Sequence, residues 1–200
     1  MPVGNFINTF AKKILMTYLD YTDSDFYITI KQLLLERGKK VELGRGDFLC
    51  QAGEMASCLG LLVSGSLKYF YTLTNGHERI VSFSFTGDLV GNYSCIRQQA
   101  PCLLDIAAIE SSVIYQLPVK QVDAAIGLEY RAKLAEALCY QLLKSTIDDY
   151  CQPPEERYLA LTERFPDIHN RMTNRTIASY LGITPESLSR LRKRLLTRQP

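Results

Sequence analysis

Glycine recurs at positions 44, 46, 53, 60, 65, 76, 87 and 91, and between these residues lie short runs of alternating character. Leu59, Leu61 and Val63 alternate with Gly60, Leu62 and Ser64; Leu67, Tyr69 and Tyr71 alternate with Lys68, Phe70 and Thr72. Val81, Phe83 and Phe85 are separated by two serines. A period of two sets one row of side chains on each face of a strand, and turn signals every 8–12 residues divide the region Lys39 to Leu117 into several short strands. Such a pattern closes into an antiparallel roll or barrel. Thr74-Asn75-Gly76-His77 reads as a hairpin turn, because Asn-Gly tolerates the positive φ that tight hairpins require.

Helical patterns flank this region. Residues 5–19 and 24–36 read as two helices, the second with Asp23 and Ser24 at its start and Arg37-Gly38 at its end. Pro118 marks a boundary. Residues 119–127 can form a short helix, and residues 128–150 one long helix. A seven-residue walk along the long helix places Leu128, Ala135 and Leu142 on one set and Leu138 and Ser145 on another, with Arg131 and Asp149 interrupting the seam. That seam suits pairing with a second copy of the helix, or packing on its own domain alone. Pro153-Pro154 ends the helix. Glu155 to Phe165 forms another, stopped by Pro166. The expected organisation is therefore α+β: residues 1–118 with the N-terminal helices and the roll, 119–150 as a dimerisation helix, and 151–200 as an all-α domain.

Charge is distributed unevenly. The first 150 residues hold 14 Lys/Arg against 16 Asp/Glu, the last 50 hold 9 against 5, and from Arg171 onward seven cations face one acid, Glu186. A basic end on a near-neutral body fits a polyanionic partner, or a solvated tail. Within it, Thr173 can cap a first helix whose apolar face is Ile177, Ala178 and Leu181. Gly182 supplies a turn and Ile183 fills the space beneath. Thr184 caps a second helix with Pro185 at its first position, where a missing N–H costs nothing. Leu188, Leu191 and Leu195 face inward, and Pro185, Glu186, Ser189, Arg190 and Lys193 face outward. This is a helix-turn-helix, in which the second helix presents its N-terminal polar face to the major groove of double-stranded DNA; an ordinary helical hairpin with a solvated face is the alternative. Glu186 can accept from a cytosine amino group and pair with Arg190, whose fork can read guanine. Pro185, Glu186, Ser189 and Arg190 are the candidate base-reading residues. Thr173, Arg175, Thr184, Arg192, Lys193 and Arg194, with Arg198, are cast as phosphate contacts.

Other classes find little support. No apolar run reaches the length of a membrane span. Residues 1–16 lack the features of a secretory signal, which points to a cytoplasmic protein. His77 and His169 have no ligand partners at metal spacing, so no metal and no cofactor is expected. No pair of the six cysteines sits at C-x-x-C spacing, and they read as small core hydrophobes or free thiols. No nucleophile–base set or phosphate loop suggests an enzyme.

Over about residues 20–195 the chain resembles the CRP/FNR superfamily of bacterial transcription regulators. The first half is similar to the cyclic-nucleotide-binding roll, through Gly46-Asp47, Gly53-Glu54, Leu61-Leu62-Val63-Ser64-Gly65-Ser66-Leu67, Asn75-Gly76-His77-Glu78 and Gly87-Asp88-Leu89-Val90-Gly91. The long helix resembles the family's dimerisation helix, and Glu186-x-x-Ser189-Arg190 resembles the FNR-type reading motif. The resemblance implies a homodimer on a palindromic operator with TTGA-like half-sites, RNA polymerase as a partner, and an effector pocket at Gly91, Asn92, Cys102 and Leu103. Pro185 replaces a residue that often contacts DNA in relatives. The short segment between Pro166 and Thr173 implies a reduced or missing β-wing. Where cyclic-nucleotide binders carry a glutamate, an arginine and a Ser or Thr around the phosphate, this sequence has Asn92, Cys102 and Leu103. A buried cyclic phosphate without a cationic partner is costly, so gating by cAMP or cGMP is not expected, and the small-molecule effector is unknown or absent. Clustered N-terminal cysteines for an iron–sulfur centre are missing. The alternative is a thiol-redox or other small-molecule sensor acting through the same DNA-binding domain, with Cys95 and Cys102 near the pocket loop.

Overall fold

The computed structural model describes residues 24–197. The expected helix at 5–19 and Arg198 lie outside the described residues. The chain begins with helix α1 (Asp25–Arg37), and eight strands follow: β1 (Lys39–Leu43), β2 (Phe48–Cys50), β3 (Cys58–Ser64), β4 (Ser66–Thr72), β5 (Glu78–Phe85), β6 (Leu89–Val90), β7 (Asp105–Ala108) and β8 (Ser112–Pro118). Helix α2 (Tyr93–Gln98) interrupts them after β6. The remaining elements are α3 (Val119–Cys151), α4 (Pro154–Arg164), α5 (Ile168–Arg171), α6 (Asn174–Leu181) and α7 (Pro185–Leu196).

The strands form two antiparallel sheets of four, in the orders β1-β8-β3-β6 and β2-β7-β4-β5. Leu43, Leu62, Leu67, Ile106 and Ile114 fill the space between the sheets. This is the antiparallel roll that the glycine-punctuated alternation predicts. The alternation needs two corrections. In β3 both faces are covered: Leu62 points into the roll, while Leu59 and Leu61 pack under Phe26, Ile30 and Leu34 of α1 and Val122, Ile126 and Leu134 of α3. In β4 both faces are likewise covered at its centre: Tyr69 packs toward the roll, while Phe70 is buried on the other face against Ile80 and Ala107 and Tyr71 beyond it is exposed. The β4–β5 register shift leaves Val81 of β5 unpaired, and this extra residue sets Ile80 opposite Phe70, which a strict period of two through Val81, Phe83 and Phe85 cannot anticipate. The β4–β5 turn lies where expected, but only Gly76 adopts positive φ. Asn75 contributes instead through its side chain, which accepts from the His77 backbone N–H at 3.0 Å.

Gly65, between β3 and β4, has a φ of +95°, and a Cβ there would strike the Ser112 hydroxyl and come within 2.7 Å of the Ser111 carbonyl oxygen. Only glycine fits the backbone at this crossing between the sheets.

Helix α3 is two helices in one run. Gly127 breaks it with φ 71° and ψ −178°, separating a short segment from a long one at the boundary expected from sequence. Beyond the break, the second half of the anticipated seam is wrong. Leu138 packs against the core beneath α1, and Arg131 turns toward Asp123. The outward stripe is Leu128, Ala132, Ala135, Cys139, Leu142 and Thr146, all exposed and spaced alternately by four and three. The apolar members Leu128 and Leu142 are 72% and 67% exposed.

Gly65→Ala combines backbone strain with a clash against β8 and is expected to cost about 2–4 kcal/mol. A urea unfolding curve measures it; an unchanged midpoint would contradict the assigned crossing geometry.

Candidate nucleic-acid interface

Helices α6 and α7 are built by their caps. Thr173 has extended dihedrals, and its hydroxyl accepts from the Thr176 N–H at 3.2 Å. Thr184 does the same for Ser187 at 3.2 Å, with Pro185 in the first turn. Each cap satisfies a donor that the helix leaves orphaned. Between the helices Gly182 is left-handed, at φ 72° and ψ 27°. Ile177, Ala178, Leu181, Leu188 and Leu191 are buried together, with Ile183 and Leu195 packed at the edge of that cluster. All of these roles agree with the sequence reading.

The opposite face of α7 is open. Pro185, Glu186, Ser189, Arg190 and Lys193 are exposed, as are Thr173, Arg175 and Thr184. The expected pairing of Glu186 with Arg190 is not the arrangement found. The Glu186 carboxylate is held below the usual carboxylate range by its own backbone N–H and the Thr184 hydroxyl, with Arg190 adding a smaller attraction. It sits in the first turn, where the helix dipole favours an anion. Arg190 donates to the Ser187 hydroxyl at 3.3 Å, and the Ser189 hydroxyl donates to the Pro185 carbonyl at 3.0 Å. Of the arginines cast as phosphate contacts, Arg192 is half-buried and donates to Asn174 Oδ1 at 3.1 Å, and Arg194 pairs with Glu155. Arg175 and Lys193 are exposed. The segment between α4 and α6 holds the single turn α5 and no strand, so no β-wing stands beside α7.

Sequence reasoning missed what holds these helices in place. Arg157 is buried; it donates to the carbonyls of Tyr180 at 2.9 Å and Leu181 at 3.4 Å, and pairs with Asp149. A cation thus sits on the last carbonyls of α6. Ser179 bonds the roll: its hydroxyl donates to the Glu78 carbonyl at 2.8 Å and accepts from the Ile80 N–H at 3.1 Å. Phe165 stacks on Phe85 with ring centroids 3.5 Å apart, and Tyr180 lies against Phe83 at 5.1 Å. Arg171 donates to Glu110 Oε1 and, at 3.1 Å, to the Gly65 carbonyl. Glu110 also accepts from Ser66 at 2.8 Å. Burial pushes the Glu110 carboxyl up, but the bonds from Arg171 and Ser66 outweigh it and hold its pKa below the usual range. His169, expected in a polar loop, lies in α5, with Nε2 2.8 Å from the Tyr158 hydroxyl.

Of the four residues expected at an effector pocket, two share one cavity. A cavity of about 210 Å³ is lined by Gly91 and Asn92, together with Cys50, Glu54, Met55 and Cys58, among others. Leu103 is 73% exposed and does not line it, and Cys102 is buried behind it. The cavity lining holds the acid Glu54 and no Lys or Arg. The view of the cysteines as core residues holds for Cys95 and Cys102 only: Cys50 and Cys58 are half-buried, and Cys139 and Cys151 are exposed. Among the described residues no group of three His, Cys, Asp or Glu side chains could hold a metal ion, and no helix is long and apolar enough to cross a membrane.

Known proteins are similar to this chain over most of its length. Residues 40–127 match the cyclic nucleotide-binding domain. The anaerobic regulatory protein of Pasteurella multocida is 26% identical over 178 residues, covering 81% of this chain and 64% of that protein. The fumarate and nitrate reduction regulatory protein of Vibrio cholerae is 28% identical over 176 residues, covering 79% and 68%. The chain thus spans about two thirds of the length of these relatives. FixK2 from Bradyrhizobium japonicum has the same fold, with a TM-score of 0.69 at 20% identity over 80% of this chain and 85% of that one. CLP from Xanthomonas campestris, described as a c-di-GMP responsive global regulator, gives 0.59 at 14% identity over 84% and 91%.

Because the folded-state pKa of Glu110 is depressed, its contribution is present above the unfolded value and is lost as pH falls through the folded one. Glu110→Gln is expected to cost about 1 kcal/mol at neutral pH, a figure reduced for partial exposure. Thermal melts of wild type and variant should converge below about pH 4; a pH-independent difference would exclude the ionised pair as its source.

Proposed function

We propose that this chain, a member of the CRP/FNR superfamily, is a DNA-binding transcription regulator that acts as a homodimer and catalyses no reaction. The observation that carries this reading is α7 itself: capped at its N-terminus, anchored by Leu188 and Leu191, and exposing Glu186, Ser189 and Arg190 on one face. Arg190 can present its fork to guanine O6 and N7, and Glu186 can accept from a cytosine amino group, on half-sites of TTGA type. Its bond to Ser187 is a single exposed contact that a base could replace. Thr173, Arg175, Thr184 and Lys193 are suited to phosphates, which fix orientation without reading sequence. Arg192 and Arg194 would first exchange Asn174 and Glu155 for phosphate oxygens, so the backbone contacts begin with Arg175 and Lys193.

Dimerisation is assigned to the stripe Leu128, Ala132, Ala135, Cys139, Leu142 and Thr146. A 4-3 spacing of small and apolar residues is what two helices need to interlock along a seam. Two copies then supply two reading helices for a palindromic site. RNA polymerase is a partner of this proposed regulator, and the cytoplasm its place of action. Cyclic nucleotides are not its effector: the cavity offers Glu54 and no cation to a phosphate, so a cyclic phosphate would be buried uncompensated.

Arg190→Ala and Glu186→Ala are each expected to weaken binding to a TTGA-type palindrome by about 1–3 kcal/mol, and to relax preference at one base position. Fluorescence anisotropy on wild-type and single-base-changed sites reads both effects. Wild-type affinity in both variants would remove α7 from the reading role. Separately, Leu142→Glu places two carboxylates across the seam and is expected to shift sedimentation from dimer to monomer with the fold intact. A persisting dimer would locate the interface elsewhere.

A further inference from the structure

Strand β5 carries a cation to the turn of the helix-turn-helix. A Cβ built on Gly182 would lie 2.7 Å from Arg79 Nη2, 2.9 Å from Nη1 and 3.2 Å from Cζ, so the guanidinium rests on the bare glycine backbone. A side chain at 182 would push it away. Two constraints meet at this one position: the left-handed turn between α6 and α7, at φ 72°, and room for an arginine from the roll. The backbone holds Arg79 in place. The Ser179 hydroxyl donates to the Glu78 carbonyl at 2.8 Å and accepts from the Ile80 N–H at 3.1 Å, which pins the residue on either side of it. Ile80 is buried with Phe70 and Ala107, so the alternation of the strand turns Arg79 to the exposed face.

Among the described residues the Arg79 guanidinium has no ion pair and no hydrogen bond. Its neighbour Glu78 pairs with Lys68. The last carbonyls of α6 would attract a cation, but Arg157 already takes those of Tyr180 and Leu181. The charge is therefore held firmly beside the helix pair and left for an anion from outside. Gly182 comes two residues before Thr184, the cap of α7, so the guanidinium lies within roughly 11 Å of the Thr184 Cα. That is the end of α7 where the reading residues begin, and an arginine fork matches two oxygens of a phosphate.

We propose that Arg79 is a DNA phosphate contact supplied by the roll, on the strand that passes the base-reading end of α7. The inference rests on the reading of α7 as the DNA-contacting helix. A phosphate contact fixes the register of the protein on the duplex and carries no sequence information. DNA then holds both parts of the chain, and the seam between β5 and α6 belongs to the binding surface. Each subunit of a dimer contributes one such arginine.

Fluorescence anisotropy measures binding of the full chain to a TTGA-type palindrome and to a scrambled duplex of equal length, from about 50 to about 200 mM KCl. Each phosphate contact adds about 0.9 to the fall of log affinity with log salt, so two copies of Arg79 add about 1.8. Over that range the wild type should lose about tenfold more affinity than Arg79→Ala. The weakening in Arg79→Ala should be the same on both duplexes, whereas Arg190→Ala alters the preference between them. Arg79→Lys keeps the charge and should keep the wild-type slope. Thermal melts of both Arg79 variants should match the wild type, because the side chain is exposed. A wild-type salt slope in Arg79→Ala, with Arg190→Ala still altering preference, overturns this inference and leaves the reading helix standing. A deficit confined to the palindrome overturns the phosphate assignment. Undiminished binding in both Arg190→Ala and Glu186→Ala removes the reading of α7 and this inference with it.

Discussion

Strand β5 is the edge of its sheet, and an edge strand leaves a row of backbone donors and acceptors unpaired. In this protein the edge is closed by a helix. The Ser179 hydroxyl takes both the Glu78 carbonyl and the Ile80 N–H, so one side chain of α6 stands in for a ninth strand. Around that contact the aromatic rings of Phe83 and Phe85 meet Tyr180 and Phe165. The hydrophobic cluster of the C-terminal helices therefore includes Phe85 and Ile109 of the roll. The position of α7 follows from this seating, because α6 and α7 share the buried set Ile177, Ala178, Leu188 and Leu191. Arg171, bridging Glu110 and the Gly65 carbonyl, fastens the same interface at its other end.

Much of this was legible in the sequence where local physics decides the outcome. Caps at Thr173 and Thr184, the left-handed Gly182 and the break at Gly127 are each set by one residue's chemistry, and each lies where the sequence puts it. Illegible features depend on residues far apart in the chain. The bulge at Val81 of β5 sets Ile80 rather than Val81 in the buried cluster with Phe70, and no local pattern announces it. The outward stripe of α3 was misread because Leu138 belongs to the core under α1, which only the packing of α1 on β3 reveals. Arg157 and Arg171 look like ordinary surface cations in a basic segment, yet both are spent on the protein's own carbonyls and carboxylates. Charge counting therefore overstated the positive surface available to a polyanion.

The cavity illustrates the same limit at a site. Alignment of motif positions names Asn92, Cys102 and Leu103 together, but the chain turns Leu103 to solvent and Cys102 behind the wall. What fills the lining instead, Cys50, Glu54, Met55 and Cys58, comes from the end of β2, the segment after it and the start of β3. The resulting chemistry is soft and slightly acidic rather than cationic. A ligand for such a space would be neutral or positively charged, the reverse of a nucleotide phosphate.

The wall of that cavity is mechanically joined to α3. Asn92 immediately precedes α2, and at the other end of that helix Arg97 pairs with Asp123. Asp123 lies four residues before the Gly127 break, and Arg131, four residues after it, reaches toward the same carboxylate at 4.0 Å. The second Asp123 oxygen is buried with no hydrogen bond of its own. One carboxylate is thus shared by two arginines from either side of a non-helical residue, a geometry with room to redistribute. Asn92, α2 and the Arg97–Asp123 pair form a continuous run of contacts from the cavity wall to the Gly127 break in α3.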